Sequence, residues 1–573
     1  MCLGCAAAAA GTALALAMTG CEGGGSAAPG TLRLVYGNDP DTLNPITASD
    51  NVSESFQRQV YEPLATRRFD NPDAWDNYLA ESYDFDDETN TYTIRLRQGV
   101  YWHPLSLPSG KPLPRTEVTA DDVLFTFDAI LNEFVEAANL RSYYLDPEAE
   151  GDAKVKIEVE KIDRYTVKVR WRQPYFLSKE FTLGIAVVPR HVFSVDERGD
   201  PVTFDFRNSR EFADLFNNHW ANTKMCGTGP MRYVEWQRER RLVLVRNEDY
   251  WGKPYPFERL VFQHIANPNT IRKKALQNEL DFASITEKQH WIQDQTHPAV
   301  VGGRVELVSY DYPGYRYMGY NLDRPFLRDK KVRWALSHAV PVQEIVDELF
   351  YGLAIRVNGP FPQGSSSCDP ALPFVEFDLN RSRRLLDEAG WIDSDGNGVR
   401  DKIVGGERVE AAIDLMIFSS SPTYRNIGAI IKENFRKIQV RVEVTPTEWA
   451  LMLQKLNKKE FDATILGWVM SWKQDPFQLW HGSEAEKPDS SNFVGYVNPR
   501  VDKLIEKLRV TIDEKEQAPL YQAIHREIFA DQPYTFLFAE KATAAYDTRL
   551  TNIRFYKIRP CIDTTEWRLA ETE

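Results

Sequence analysis

One run of ligand-type side chains in the 573-residue sequence is Asp393-Ser394-Asp395-Gly396-Asn397-Gly398-Val399-Arg400-Asp401. It puts oxygen side chains at positions one, three, five and nine of a calcium-type loop, with glycine at six. Position twelve is Val404, where such loops carry a bidentate glutamate. Asp393, Asp395, Asn397 and Asp401 are therefore candidate calcium ligands, with an ion-free Asx-rich turn as the alternative. No other cofactor is expected. Gly227-Thr228-Gly229-Pro230 has glycines in the manner of a phosphate loop but lacks the Gly-Lys-Ser/Thr ending that reaches a nucleotide, so it reads as a turn. There is no GxSxG, no HExxH, and no carboxylate pair that the sequence places across a scissile bond. A secreted hydrolase thus finds little support, and the chain is not expected to be an enzyme.

Composition narrows the partners. Basic residues number 69 and acidic residues 83, a balance of −14, and the pI is near 5.4. The electrostatic footprint for phosphate is missing, so no nucleic-acid partner is expected. Aromatics make up 12% of the chain, with 14 Trp and 25 Tyr, enough to pave a sizeable binding surface. At 43% hydrophobic, the chain has the length and composition for several domain-sized units with a large core.

Residues 1–20 carry no Asp, Glu, Lys or Arg, and the run from Ala6 to Ala17 is almost wholly Ala, Leu, Gly and Thr. This is an export segment in character, too short to span a bilayer as a helix. Met18-Thr19-Gly20-Cys21, followed by a Gly/Ser/Pro tether to Gly30, resembles a bacterial lipoprotein cleavage box. The resemblance makes 1–20 a signal peptide, 21–30 a tether, and Cys21 the mature N-terminus and site of lipid attachment. An ordinary secretory signal with an incidental Cys21 is the alternative. Either places the protein outside the cytoplasm, and the first as a membrane-anchored lipoprotein of the periplasm or cell surface. Of the other cysteines, Cys226, Cys368 and Cys561 remain after processing; one bridge among them is open, its pairing unassigned.

Strand-like and helical patterns alternate. Thr31 to Tyr36, Tyr92 to Arg97, Val155 to Val159 and Tyr165 to Trp171 follow a period of two. Arg381 to Ala389 reads as a helix with Asn380 as N-cap and Gly390 as its stop, and Val501 to Leu508 carries an apolar stripe at i, i+3, i+4, i+7. Thr119 before Asp121 and Asp122 reads as an N-cap with acids in the first turn. No repeat or interior linker separates two halves. A mixed α/β body of lobes joined by crossing strands is expected.

A dozen short segments occur in the order found in family five of the extracytoplasmic solute-binding proteins of bacterial ABC importers, the dipeptide- and oligopeptide-binding type. They include Tyr61-Glu62-Pro63-Leu64, Thr119-Ala120-Asp121-Asp122-Val123, Val188-Pro189-Arg190-His191, Gly227-Thr228-Gly229-Pro230, Asn247-Glu248-Asp249-Tyr250-Trp251-Gly252, Val332-Arg333-Trp334-Ala335, Gly467-Trp468 and Asp531-Gln532-Pro533. The chain resembles that family over nearly its whole mature length. The resemblance implies an α/β periplasmic-binding-protein fold in which two lobes close on a ligand, with mixed sheets and hinge strands. Lobe one would be 31–305 plus 535–573, with an extra subdomain near 65–195, and lobe two 306–534. It also implies ABC permease subunits as partners, and a monomer is expected.

In peptide-binding members the Gly-Trp segment lies at the cleft, and an Asp three residues after the Trp pairs with the peptide's α-ammonium. Here Trp468 is followed at that place by Ser471, and a hydroxyl does not replace a buried counter-ion. Asp475 takes the role if the loop is remodelled; otherwise it is a turn residue before Pro476. Lys473 in the same loop points to an acidic or blocked ligand, or is a solvated lysine. Trp468 and Trp472 either stack on a sugar or apolar side chain or belong in part to the core. Tyr320-Asn321 resembles the end of a strand at the cleft edge, where backbone groups would take an extended peptide as an added strand. Asp50 is a second acidic candidate, or a solvated loop acid. The expected function is capture of an oligopeptide for an ABC importer. A sugar or other polar solute, or a ligand-sensing role without transport, is the alternative.

Overall fold

The computed structural model describes residues 30–146, 149–487 and 490–570. The expected signal peptide, the tether from Cys21 and its lipid attachment lie outside them. The strand expected at 31–36 forms as Thr31–Tyr36 and runs parallel to Arg259–His264, which continues through Arg241–Arg246 to Met231–Gln237 in a four-stranded sheet. A second four-stranded sheet orders Ala80–Asp86, Thr91–Leu96, Thr166–Trp171 and Ile157–Lys161. Period-two alternation works here as one face buries Tyr92, Ile94, Val167 and Val169 while Lys168 and Arg170 face water. Helix Ala120–Leu131 packs on the inner face, and Thr119 and Asp122 close a capping box at its start.

The third sheet has eight strands. Its spine is Tyr534–Asp547, which at about 3.4 Å per residue spans roughly 45 Å. The first half of this strand pairs with Gly314–Tyr320 and Ala354–Arg356, and the second half with Val305–Asp311 and Phe282–Ser284. Beyond Gly314–Tyr320 come Ala463–Val469, Ala412–Phe418 and Arg441–Thr447. Tyr534 to Ala539 is buried throughout, paired along one edge with Gly314–Tyr320 and from Phe538 on with Ala354–Arg356 on the other, and is almost wholly apolar.

One local expectation changes. Helix Leu379–Glu388 is capped by Asp378, whose carboxylate accepts from Arg381 N at 2.8 Å, so Asn380 lies inside the first turn. A carboxylate two residues earlier reaches the free N–H groups and carries the charge that the helix N-terminus favours. Gly390 ends that helix at φ +77°, as expected. Cys226, Cys368 and Cys561 are buried free thiols, and no disulfide forms among the described residues.

Candidate functional site

Strands Ala412–Phe418, Arg441–Thr447 and Ala463–Val469 are mutually parallel, so their carboxyl ends share one edge. In open α/β sheets ligands lie in the crevice outside such ends. There the chain turns abruptly apolar and exposed: Val469 is 53% exposed, and Trp449, opening the helix Trp449–Asn457, is 49% exposed. Phe418 meets Trp449 edge-on with ring centroids 6.1 Å apart. Sequence reasoning does not single out Phe418 or Trp449; their signal is position, each within two residues of a strand end. A Cβ on Gly467 would lie 2.9 Å from the carbonyl oxygen of Tyr315 on the neighbouring strand and 2.3 Å from Arg316 Nη1, the movable end of its side chain. Arg316 Nε in turn lies 2.8 Å from Glu540 Oε1 on the spine strand.

Trp468 leaves the same edge, half-buried and stacked over Phe493 with centroids 6.5 Å apart. Ser471 is exposed. Trp472 is half-buried and its Nε1 donates to Asp73 Oδ1 at 3.2 Å. Lys473 is not a solvated lysine: its side chain is 8% exposed, with Nζ 2.6 Å from Glu514 Oε1 and donating to Gln517 at 3.1 Å. Burial pulls its pKa below the usual lysine range while Glu514 opposes the shift. Asp475 has both oxygens engaged. Oδ2 lies 3.0 Å from Arg509 Nε and accepts from Tyr175 OH at 3.4 Å, and Oδ1 accepts from Phe477 N at 3.1 Å. A ligand ammonium would have to displace these partners.

The other candidates fall elsewhere. Asp50 caps helix Asn51–Val60, accepting from Val52 N and Ser53 N at 2.9 and 2.8 Å. Tyr320 is fully buried with its hydroxyl 2.5 Å from Thr535 Oγ1, and Asn321 donates to the carbonyls of Lys459 and Phe461. The added-strand reading of Tyr320-Asn321 is corrected: Gly314–Tyr320 has a partner strand on each side, and Asn321 N donates to Asp462 O, leaving no open edge.

At the acidic loop, Asp393, Asp395 and Asp401 bring carboxylate oxygens within 4.8 Å of one another. Arg408 Nη2 stands 2.5 Å from Asp395 and 2.9 Å from Asp401, supplying positive charge from the neighbouring strand Glu407–Glu410. Asn397 spends its side-chain oxygen on Val399 N at 2.8 Å. The three carboxylates have the donor chemistry for calcium, in competition with that guanidinium.

Many of the motif segments meet around one buried carboxylate. Glu62 is 3% exposed and accepts from Tyr250 OH at 2.6 Å, Thr228 Oγ1 at 2.8 Å and Trp251 Nε1 at 3.0 Å. His103 N donates to Gly227 O, its Nε2 lies 2.9 Å from Gly229 O, and Asn247 N donates to Pro230 O. The Gly-Thr-Gly-Pro turn is thus a packing device. A Cβ on Gly227 would sit 1.9 Å from the carbonyl oxygen of Val60.

Comparison with known proteins agrees with this architecture. Residues 75–488 match the family described as bacterial extracellular solute-binding proteins, family 5 Middle. The chain is 25% identical over 548 residues to the oligopeptide-binding protein AppA of Bacillus subtilis, covering 94% of this chain and 92% of that protein. A solved structure of AppA from Bacillus subtilis in complex with a nonapeptide superposes with a TM-score of 0.71 at 23% identity, covering 95% and 99% of the two chains. NikZ from Campylobacter jejuni in complex with Ni(L-His) gives 0.72 at 22% identity, covering 95% and 100%. The chain shares their two-lobed, mixed α/β fold, and it belongs to family 5 of the bacterial extracellular solute-binding proteins.

Proposed function

We propose that the protein is the ligand-capturing component of a bacterial ABC importer and that its ligand is an oligopeptide. The observation that carries this reading is the likeness of almost the whole chain to an oligopeptide-binding relative. The rim of Phe418, Trp449, Trp468 and Val469 suits it, since exposed aromatic and aliphatic surface at a strand-end crevice gains by covering apolar side chains. Ligand contacts are assigned to Trp468, Ser471 and Trp472 together with this rim, while Asp50, Tyr320, Asn321 and Asp475 support the scaffold. The lobes are 31–305 with 535–573, and 306–534, and they close by bending of the strands that run between them. A transporter that responds to the closed form needs a ligand that binds that form better than the open one. The protein acts as a monomer without catalysing a reaction, tethered through lipid on Cys21 outside the cytoplasm.

A second reading has its own support. Ser471 stands where a counter-ion for an α-ammonium is expected, and Asp475 is already paired with Arg509. These favour a ligand without a free amino end, such as a blocked peptide or a sugar. Native mass spectrometry of the unlipidated protein, begun after Cys21 and purified from rich medium, separates the two. Co-purified peptides with free amino ends support the first. Blocked peptides or a non-peptide mass support the second and overturn the first.

A further inference from the structure

We propose that Trp472 to Asp475, the loop next to the ligand crevice, is an interlobe latch that holds the protein closed without ligand, through hydrogen bonds and one crossing ion pair, Arg67–Glu514, that salt weakens. Four links cross from this loop and its supporting helices to residues 67–180 on the other side. Trp472 Nε1 donates to Asp73. Glu514 accepts Lys473 at 2.6 Å and faces Arg67 at 3.7 Å, and Arg67 pairs onward with Glu180, so charges alternate along Lys473, Glu514, Arg67 and Glu180. Asp475 and Arg509 pair at 3.0 Å and engage Tyr175 together, the hydroxyl on the carboxylate and the ring 5.8 Å from the guanidinium. Beside them Phe176 N donates to Arg509 O at 2.9 Å.

The charges at the centre are shielded. Lys473, Arg67 and Asp475 have side chains 8%, 11% and 13% exposed, while Glu514, which carries the crossing pair, is 44% exposed, so salt reaches that pair. Opening separates Arg67 from Glu514, Asp73 from Trp472 and Tyr175 from Asp475 in one movement. Each link favours the closed form whatever the ligand. A closed form populated in advance raises apparent affinity in proportion to that population. The inference goes beyond the proposed ligand and needs none for its test.

Small-angle scattering and hydrogen exchange are measured on the chain begun after Cys21, verified ligand-free by native mass spectrometry, in about 50 mM and about 500 mM potassium chloride. The ligand-free protein is expected to be compact in low salt and to expand in high salt. The double variant Asp73→Ala, Glu514→Gln alters two exposed positions and is expected to be expanded already in low salt, with exchange at 470–476 faster by about tenfold. Arg500→Gln, which breaks a surface pair with Glu527, leaves the dimensions unchanged. Trp472→Phe, losing one N–H alone, gives a smaller expansion and serves if the double variant does not fold. Equal dimensions in both salts and in the variants overturn the latch. A ligand-free protein that is expanded throughout overturns it as well, and neither result bears on whether peptides bind.

Discussion

Replacing Glu62 separates a structural knot from a binding site. Its carboxylate satisfies three donors: Oε2 takes Thr228 Oγ1 and Trp251 Nε1, and Oε1 takes Tyr250 OH. Hydrogen bonds to a charged acceptor contribute about 1.5–3 kcal/mol each, and buried donors left without an acceptor cost about 1–3 kcal/mol. Against this stands the cost of keeping the carboxylate dry, since burial pushes its pKa up while the three donors pull it down. Removing the side chain relieves that cost but strands the donors, so Glu62→Ala is expected to destabilise by about 4 kcal/mol. Glu62→Gln keeps an oxygen for Thr228 and Trp251 and turns an N–H toward the Tyr250 hydroxyl, which can accept it; about 1 kcal/mol is expected. Urea titrations followed by circular dichroism and tryptophan fluorescence measure the difference in the first unfolding transition, because a two-lobed chain unfolds in more than one step. Two variants equal within error, or an alanine variant as stable as the parent, would refute the reasoning.

Gly227→Ala drives a Cβ into the Val60 carbonyl and is expected to abolish soluble expression or lower the melting temperature by more than 10 °C, roughly 4 kcal/mol or more; a neutral result in a thermal melt rejects the packing role of that turn. Acid should destabilise the fold between pH 7 and 5. Burial lowers the pKa of His103, His191, His219 and His525 to about 4, so the unfolded chain binds more protons in this window and each imidazole costs about 2 kcal/mol by pH 5. Asp122, raised by burial to about 6, acts with the opposite sign and returns about 1 kcal/mol, so melting temperatures that stay flat or rise from pH 7 to 5 contradict the net direction. Millimolar calcium is expected to leave the melting temperature of the parent unchanged and to raise that of Arg408→Gln, where the three carboxylates lose their guanidinium; a rise in the parent would mean the ion displaces Arg408.

Local structure was legible where neighbours in sequence decide it. Thr31–Tyr36 shows its period of two, Pro499–Val510 its apolar stripe, and the Thr119–Asp122 capping box closes within one turn. The family-like motifs also announced the two-lobed fold, because they are packing devices such as Glu62 and Gly227, whose residue types allow few substitutes. The candidate site was legible only in outline. Trp468 stands near a strand end, but the charges of its loop were not readable. Lys473 meets Glu514 41 residues away, Asp475 meets Tyr175 300 residues away, and Trp472 meets Asp73 399 residues away. The sequence alone determined periodicity, caps and turns, since these depend on backbone hydrogen bonds within a few residues. Tertiary structure alone decided which charges are spent on neighbours, because a carboxylate's role follows from the cation beside it in space, and the folded topology sets that neighbour.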